Sequence, residues 1–219
     1  MHVVANRREE RDSIWASFVA MEQGKNVTEH RFMREYVWCV HVSGFSAKVV
    51  SKLIGPLLEA HGVESPDGSY IEIRPENLLS LPQVEERVYP INKNKAKARA
   101  IQKVRKIILD TTWEKFKSHF LSGGPAPKDL QGLPFLGPAL SCHMARNLGN
   151  LNVAKPDIHM TRLAANFGLP SVDALCRACV TISAGSGTGQ IQEINLGGRI
   201  SIGYVDLTLW LASVDCGTH

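Results

Sequence analysis

The segment Val153-Ala154-Lys155-Pro156-Asp157-Ile158-His159 places an amine, a carboxylate and an imidazole almost side by side. A fixed carboxylate can stabilise positive charge growing at a carbon and orient a water for attack. A neighbouring amine can instead attack that carbon itself and leave a Schiff base. Asp157 follows a proline and opens the apolar-periodic run Ile158–Asn166, so it also reads as an ordinary helix cap. Lys155 also reads as a solvated or phosphate-binding lysine, and His159 is the accessory imidazole.

Twenty residues before Asp157 stands Gly137, at the end of Leu133-Pro134-Phe135-Leu136-Gly137-Pro138. A helical lead-in, Lys128-Asp129-Leu130, precedes this turn, and a helical pattern over Ala139–Leu148 follows it. A tight turn opening a helix leaves backbone N–H groups free and adds the positive end of the helix dipole. That makes a site for phosphate, which grips a nucleic-acid backbone without reading bases.

These two elements and their spacing resemble the helix-hairpin-helix (HhH-GPD-like) superfamily of base-excision DNA glycosylases. Leu133, Pro134 and Gly137 match that family's hairpin, and Asp157, His159 and Arg162 match its aspartate motif. Phe135 stands where the family has its first hairpin glycine. Ser43-Gly44-Phe45-Ser46 sits where the family has a helix start bordering the base pocket. Ile91-Asn92-Lys93-Asn94-Lys95-Ala96 is similar to its loop bearing an apolar wedge.

The resemblance implies an all-α, two-lobe fold with the active-site cleft between the lobes. One lobe would cover residues 27–150 and end in the hairpin; residues 1–26 with 151–219 would form the other and carry Asp157. It implies hydrolysis of the N-glycosidic bond of a flipped, damaged or modified base in double-stranded DNA, with Asp157 facing an oxocarbenium-like transition state. Leu133, Pro134, Leu136, Gly137, Ala139, Lys93 and Lys95 would meet the DNA backbone. Phe45, Trp38, His41 and Ile91 would form the pocket or wedge, although Phe45 and Trp38 also read as core. The family's attacking lysine, two residues beyond the last hairpin glycine, is replaced here by Ala139, which implies a monofunctional enzyme. Two alternatives stay open: a glycosylase that also cuts the strand through Lys155, and a DNA-binding protein without catalysis. The family's hairpin can hold Na+ or K+ on backbone carbonyls, here those of Gln131, Leu133 and Leu136; no other cofactor is implied, and a monomer is expected.

The chain that must position these residues has 219 of them, 44% hydrophobic and 21% charged. That is enough to bury a core, and it excludes disordered and collagen-like classes. Net charge is +4, so the distribution of the basic residues matters more than their sum. The helical pattern Asn94–Asp110 puts Ala98, Ile101, Val104, Ile107 and Ile108 inward and presents Lys97, Arg99, Lys103, Arg105 and Lys106 outward. With Lys93 and Lys95 this basic face suits a DNA backbone, or is simply solvated.

Further helices are expected at Glu9–Met21, from Thr28 through His41, from Ser46 to His61, from Pro75 to Val84, at Trp113–Leu121, Val172–Ile182 and Tyr204–Ala212. Five scattered cysteines, including Cys176, Cys179 and Cys216, lack the spacing of a four-cysteine cluster and point to free thiols in a reducing compartment. A cytoplasmic location is expected, with nucleoid association in a bacterium or a nuclear place in a eukaryote, and no membrane span. The Gly-rich stretch Ser183–Gly189 lacks the ending of a phosphate-binding P-loop.

Overall fold

The computed structural model describes residues 8–185 and 201–215. Gly197-Gly198, whose paired glycines signal a turn in the sequence, most of the Ser183–Gly189 stretch and Cys216 lie outside them. Among the described residues the secondary structure is helical: α1 (Arg8–Val19), α2 (Glu29–Val42), α3 (Ala47–Ala60), α4 (Leu81–Val88), α5 (Lys95–Thr111), α6 (Trp113–Leu121), α7 (Pro127–Leu130), α8 (Pro138–Asn147), α9 (Ile158–Asn166), α10 (Val172–Gly185) and α11 (Ile202–Asp215). None of these helices is long and apolar enough to cross a membrane.

The chain divides into two compact units. One comprises Val27–Ser122 and Pro127–Leu140; the other comprises Met1–Asn26, Gly123–Ala126 and Ser141–His219. The boundary therefore falls inside α8, at Leu140, where the sequence reading carried the first lobe on to 150. The reason is the second half of α8. Its Arg146 is buried against Asp206 of α11, which ties that half to the second unit.

In the first unit, α2 starts because the Thr28 hydroxyl accepts the Arg31 N–H at 3.1 Å. It buries Phe32, Met33, Tyr36, Val37 and Val40 completely, a spacing that keeps one stripe facing inward. Each such side chain contributes about 1.5–3 kcal/mol of transfer free energy. α3 adds Val50, Leu57 and Leu58, and α5 adds Ala98, Ile101, Val104 and Ile108. α3 ends in a left-handed glycine, Gly62 (φ +65°), and the Val63 N–H returns to the Leu58 carbonyl at 2.9 Å.

Around Tyr70 one isolated bridge joins it to Glu64, with no strand among the described residues. One local expectation needs correction. The single helix expected from Pro75 is a 3-10 turn at Pro75–Asn77 followed by the separate α4. α4 has its own start: the Ser80 N–H donates to Gln83 Oε1 at 2.9 Å, half of a capping box that the order Ser80-Leu81-Pro82-Gln83 encodes.

In the second unit, α11 packs on two sides. Ile202 and Val205 join Met160, Ala164, Val172 and Leu175. Tyr204, Leu207 and Leu211 join Trp15 and Phe18 of α1. Gly203 lies where the Leu151 carbonyl accepts its N–H at 2.9 Å, and a Cβ there would come within 3.0 Å of that oxygen. A glycine therefore lets α11 lie directly on the segment that leads to Asp157.

Candidate functional site

The hairpin is built by three buried leucines three residues apart. α7 is a single turn, and the N–H groups of Gly132 and Leu133 fold back onto the carbonyls of Asp129 and Leu130 at 3.0 Å. Leu130, Leu133 and Leu136 are buried and anchor the turn. The Tyr36 hydroxyl, itself inside the core, donates to the Pro134 carbonyl at 3.1 Å. Pro134 and Ala139 are half-buried, while Gln131 and Gly137 are exposed.

Phe135 sits at φ +65°, in the left-handed region. An L-residue there costs about 1–2 kcal/mol, and glycine escapes that cost. Phe135→Gly is therefore expected to be more stable than Phe135→Ala by about 1 kcal/mol, the reverse of the usual order. Both variants lose the ring and only glycine relieves the backbone. Urea midpoints of the two decide it, and an alanine variant as stable as the glycine one contradicts the left-handed turn.

Of the carbonyls expected to face a monovalent cation, that of Leu133 already accepts the Leu136 N–H at 3.3 Å. It retains one lone pair for an ion.

Asp157 is the N-cap of α9. Its Oδ1 accepts the Met160 N–H at 3.0 Å, and its Oδ2 lies 3.4 Å from Lys155 Nζ. The turn is tightened by the Asp157 N–H, which donates to the Lys155 carbonyl at 2.8 Å across Pro156. Both side chains are mostly covered, 14% exposed for Asp157 and 18% for Lys155. The capping function is thus present, and it occupies one carboxylate oxygen. His159 lies in the first turn of α9, half-buried, and Arg162 is exposed.

Beneath this segment lies an ionic group that the sequence reading missed. Asp206, 1% exposed on α11, pairs with Arg146 of α8. Burial raises the Asp206 pKa against the opposing pull of Arg146; a backbone hydrogen bond from Lys155 also lowers it, and the Asp157 charge raises it. Asp206 therefore lies within electrostatic reach of both Lys155 and Asp157. His143, one turn before Arg146, is 3.1 Å from the Asn147 amide through Nε2; burial foremost, then Arg146 and Lys155, push its pKa well down. A signal existed: Asp206 is the one charged residue between Ile200 and Val214, and a charge alone in an apolar helix must have a partner.

In the first unit the structure brings together several of the residues expected to form a pocket or wedge. His41 is fully buried. Its Nε2 is 2.9 Å from His61 Nε2, and its Nδ1 is 3.1 Å from the Asn92 amide nitrogen. Lys97 Nζ donates to the carbonyls of His41 (2.9 Å) and Ser43 (2.7 Å) and lies 4.5 Å from the Phe45 ring centroid. Phe45 is 52% exposed, which excludes the core reading for it, whereas Trp38 and Ile91 are half-buried.

The outward basic face is corrected at two positions. Lys97 (2% exposed) and Arg105 (0%) are inside, Arg105 donating to the His61 carbonyl. Burial lowers the Arg105 pKa to about 10 and also lowers that of Lys97. Lys93, Lys95, Arg99, Lys103 and Lys106 remain exposed, with Lys95 and Arg99 reaching Glu85 at 3.5 and 2.8 Å.

Burial first, then Lys97, lowers the His41 pKa from 6.5 to about 4. A histidine whose folded pKa is lowered gives stability that is complete above its unfolded pKa and drains away as pH falls below it. His41 alone is expected to cost about 2 kcal/mol of stability between pH ~7 and pH ~5. Urea unfolding at the two pH values measures this, and a flat profile rules out the buried neutral ring.

Among the described residues no group of three or more His, Cys, Asp or Glu side chains is arranged to hold a metal ion. Cys39, Cys142, Cys176 and Cys179 are free thiols. No family model, curated protein or solved structure matches the chain.

Proposed function

We propose that the protein is a DNA base-excision glycosylase that hydrolyses the N-glycosidic bond of a flipped base and leaves an abasic site. The observation that carries the reading is the backbone of the 133–137 turn. At the position where the resembled hairpin has glycine, the chain holds a phenylalanine in the left-handed conformation glycine would take. A costly conformation kept at one residue marks a turn whose shape matters more than local stability. Two residues on, Gly137 is exposed, has no positive φ, and a Cβ there would meet nothing within 4 Å. The fold does not require that glycine; close approach by an outside backbone does.

In this reading the backbone N–H groups of Ala139 and Leu140, in the first turn of α8, take a DNA phosphate. Asp157 Oδ2, the oxygen not used for capping, stabilises the sugar cation and orients the water. Water adds at C1′, the C1′–N bond breaks, and the base leaves with the bonding pair and a proton. Ala139 at the lysine position favours the monofunctional form, with Lys155 in an ion pair with Asp157. A Na+ or K+ ion on the hairpin carbonyls belongs to the same reading.

The test is a panel of duplexes, each carrying one altered base, treated with protein and then alkali. Strand breaks at one lesion support the reading; intact strands throughout the panel, with saturating protein, overturn it. Breaks without alkali, with an adduct trapped by borohydride, shift it to the Lys155 form. Gly137→Ala is expected to leave stability within about 0.5 kcal/mol and to weaken duplex binding at least about fivefold, read from titrations at one fixed salt concentration. Unchanged binding removes the hairpin from the interface.

A further inference from the structure

The hydrogen bonds around His41 fix the proton on every ring nitrogen. Asn92 Oδ1 accepts the Asn94 N–H at 3.0 Å, so the amide nitrogen, a donor, is what faces His41 Nδ1. His41 Nδ1 must then be bare, and its proton sits on Nε2. That N–H points at His61 Nε2, which must accept, so His61 carries its own proton on Nδ1. His61 Nδ1 is buried without a hydrogen-bond partner. The chain of donors runs one way, Asn92 to His41 to His61, and it tolerates no added proton. A proton on His41 Nδ1 faces the Asn92 donor, and one on His61 Nε2 faces the His41 donor.

The segment Tyr89–Asn94 hangs on this chain. The backbone N–H groups of Ile91 and Asn92 both return to the Val88 carbonyl, at 3.0 and 2.8 Å, and Asn94 caps α5. Tyr89, Lys93 and Asn94 are exposed. The Asn92 amide is thus the side-chain tie between this segment and the C-terminal end of α2.

We propose that the His41–His61 pair is a proton-controlled latch: it holds Tyr89–Asn94 while both rings are neutral and frees that segment, before the rest of the unit unfolds, when His41 takes a proton.

The charged groups facing the pair agree on which ring yields. α5 contributes Lys97, against the His41 side, and Arg105, against His61; α3 contributes His61 itself; Glu29 of α2 acts on Arg105. His61 is closed in by His41 and Arg105, whereas the hydrogen-bond partner of His41 Nδ1 is an amide on a half-buried loop residue. A proton enters by displacing Asn92. Lys97 stays on the His41 and Ser43 carbonyls, so the end of α2 remains tied when the loop leaves. This device is independent of the glycosylase reading.

The experiment uses the whole chain: nitrogen-15 spectra of the histidine rings and amide hydrogen exchange, from about pH 7.5 to about pH 3. The expected result at the upper end is His41 protonated on Nε2 and His61 on Nδ1. As His41 titrates, protection at Asn92 and Asn94 should fall at least about tenfold while Val104 and Ile108 stay protected. Asn92→Asp is the second arm, because a carboxylate accepts from a protonated Nδ1. Its loop should stay protected to lower pH than the wild-type loop. The opposite tautomers, a loop unmoved through the His41 titration, simultaneous loss at Val104, or an Asn92→Asp loop released at the wild-type pH would each overturn the latch.

Discussion

Asp157→Asn is expected to lower base release at least about 100-fold while leaving the fold and duplex affinity unchanged. The geometry makes asparagine the informative choice. Asp157 caps α9 through Oδ1, and asparagine caps a helix about as well as aspartate. The substitution therefore removes the charge and keeps the cap. Asp157→Ala removes both and should cost about 1 kcal/mol of stability as well. A glycosylase that depends on a carboxylate at C1′ loses its rate in both variants. A protein in which Asp157 is only a cap loses stability in the alanine variant and nothing in the asparagine one. Single-turnover base release, set beside urea midpoints, separates the two. Full activity in Asp157→Asn sinks the proposed mechanism.

The largest stability effect is expected at Asp206→Asn, which should cost about 3–5 kcal/mol. Arg146 would remain buried, still charged and without its carboxylate. The reverse truncation, Arg146→Met, should be milder, because a lone buried carboxyl can take up a proton. Asp206 is already pushed toward its neutral form by burial. Removing Arg146 raises its pKa further, so the folded form binds the proton more readily than the unfolded chain. The penalty of Arg146→Met is therefore expected to be full at neutral pH and to shrink as pH falls toward the ordinary aspartate range. Replacing both partners together, Arg146→Met with Asp206→Leu, should recover most of the loss. Denaturation midpoints at neutral and acid pH check the whole set. An Asp206→Asn loss below about 1 kcal/mol would mean that the pair is solvated.

The helices with sharp starts were legible in the order of residues. Thr28 before α2 and Asn94 before α5 both accept a backbone N–H of the helix they open. A mostly helical balance followed from such signals. The basic face of α5 was misread because residue type was put ahead of periodicity. Lys97, Ile101, Arg105 and Ile108 recur at helical spacing on one stripe, and that stripe faces inward. Two cations share it because the end of α2 and the His61 turn present carbonyls to them.

The hairpin and Asp157 were found as sequence motifs. The Asp206–Arg146 pair was not, because its partners are sixty residues apart. Pairing across that distance is a property of packing and leaves no local pattern. The His41–His61 pair escaped for the same reason, although His41 itself was singled out.

The enclosure of Lys97 gives the basic stretch an uneven chemical reactivity. An amine-acylating reagent applied to the folded chain should tag Lys93, Lys95, Lys103 and Lys106, whose side chains stand in water, and pass over Lys97, whose ammonium is spent on two backbone oxygens. Peptide mapping of such a sample would show a gap in the first turn of an otherwise labelled helix.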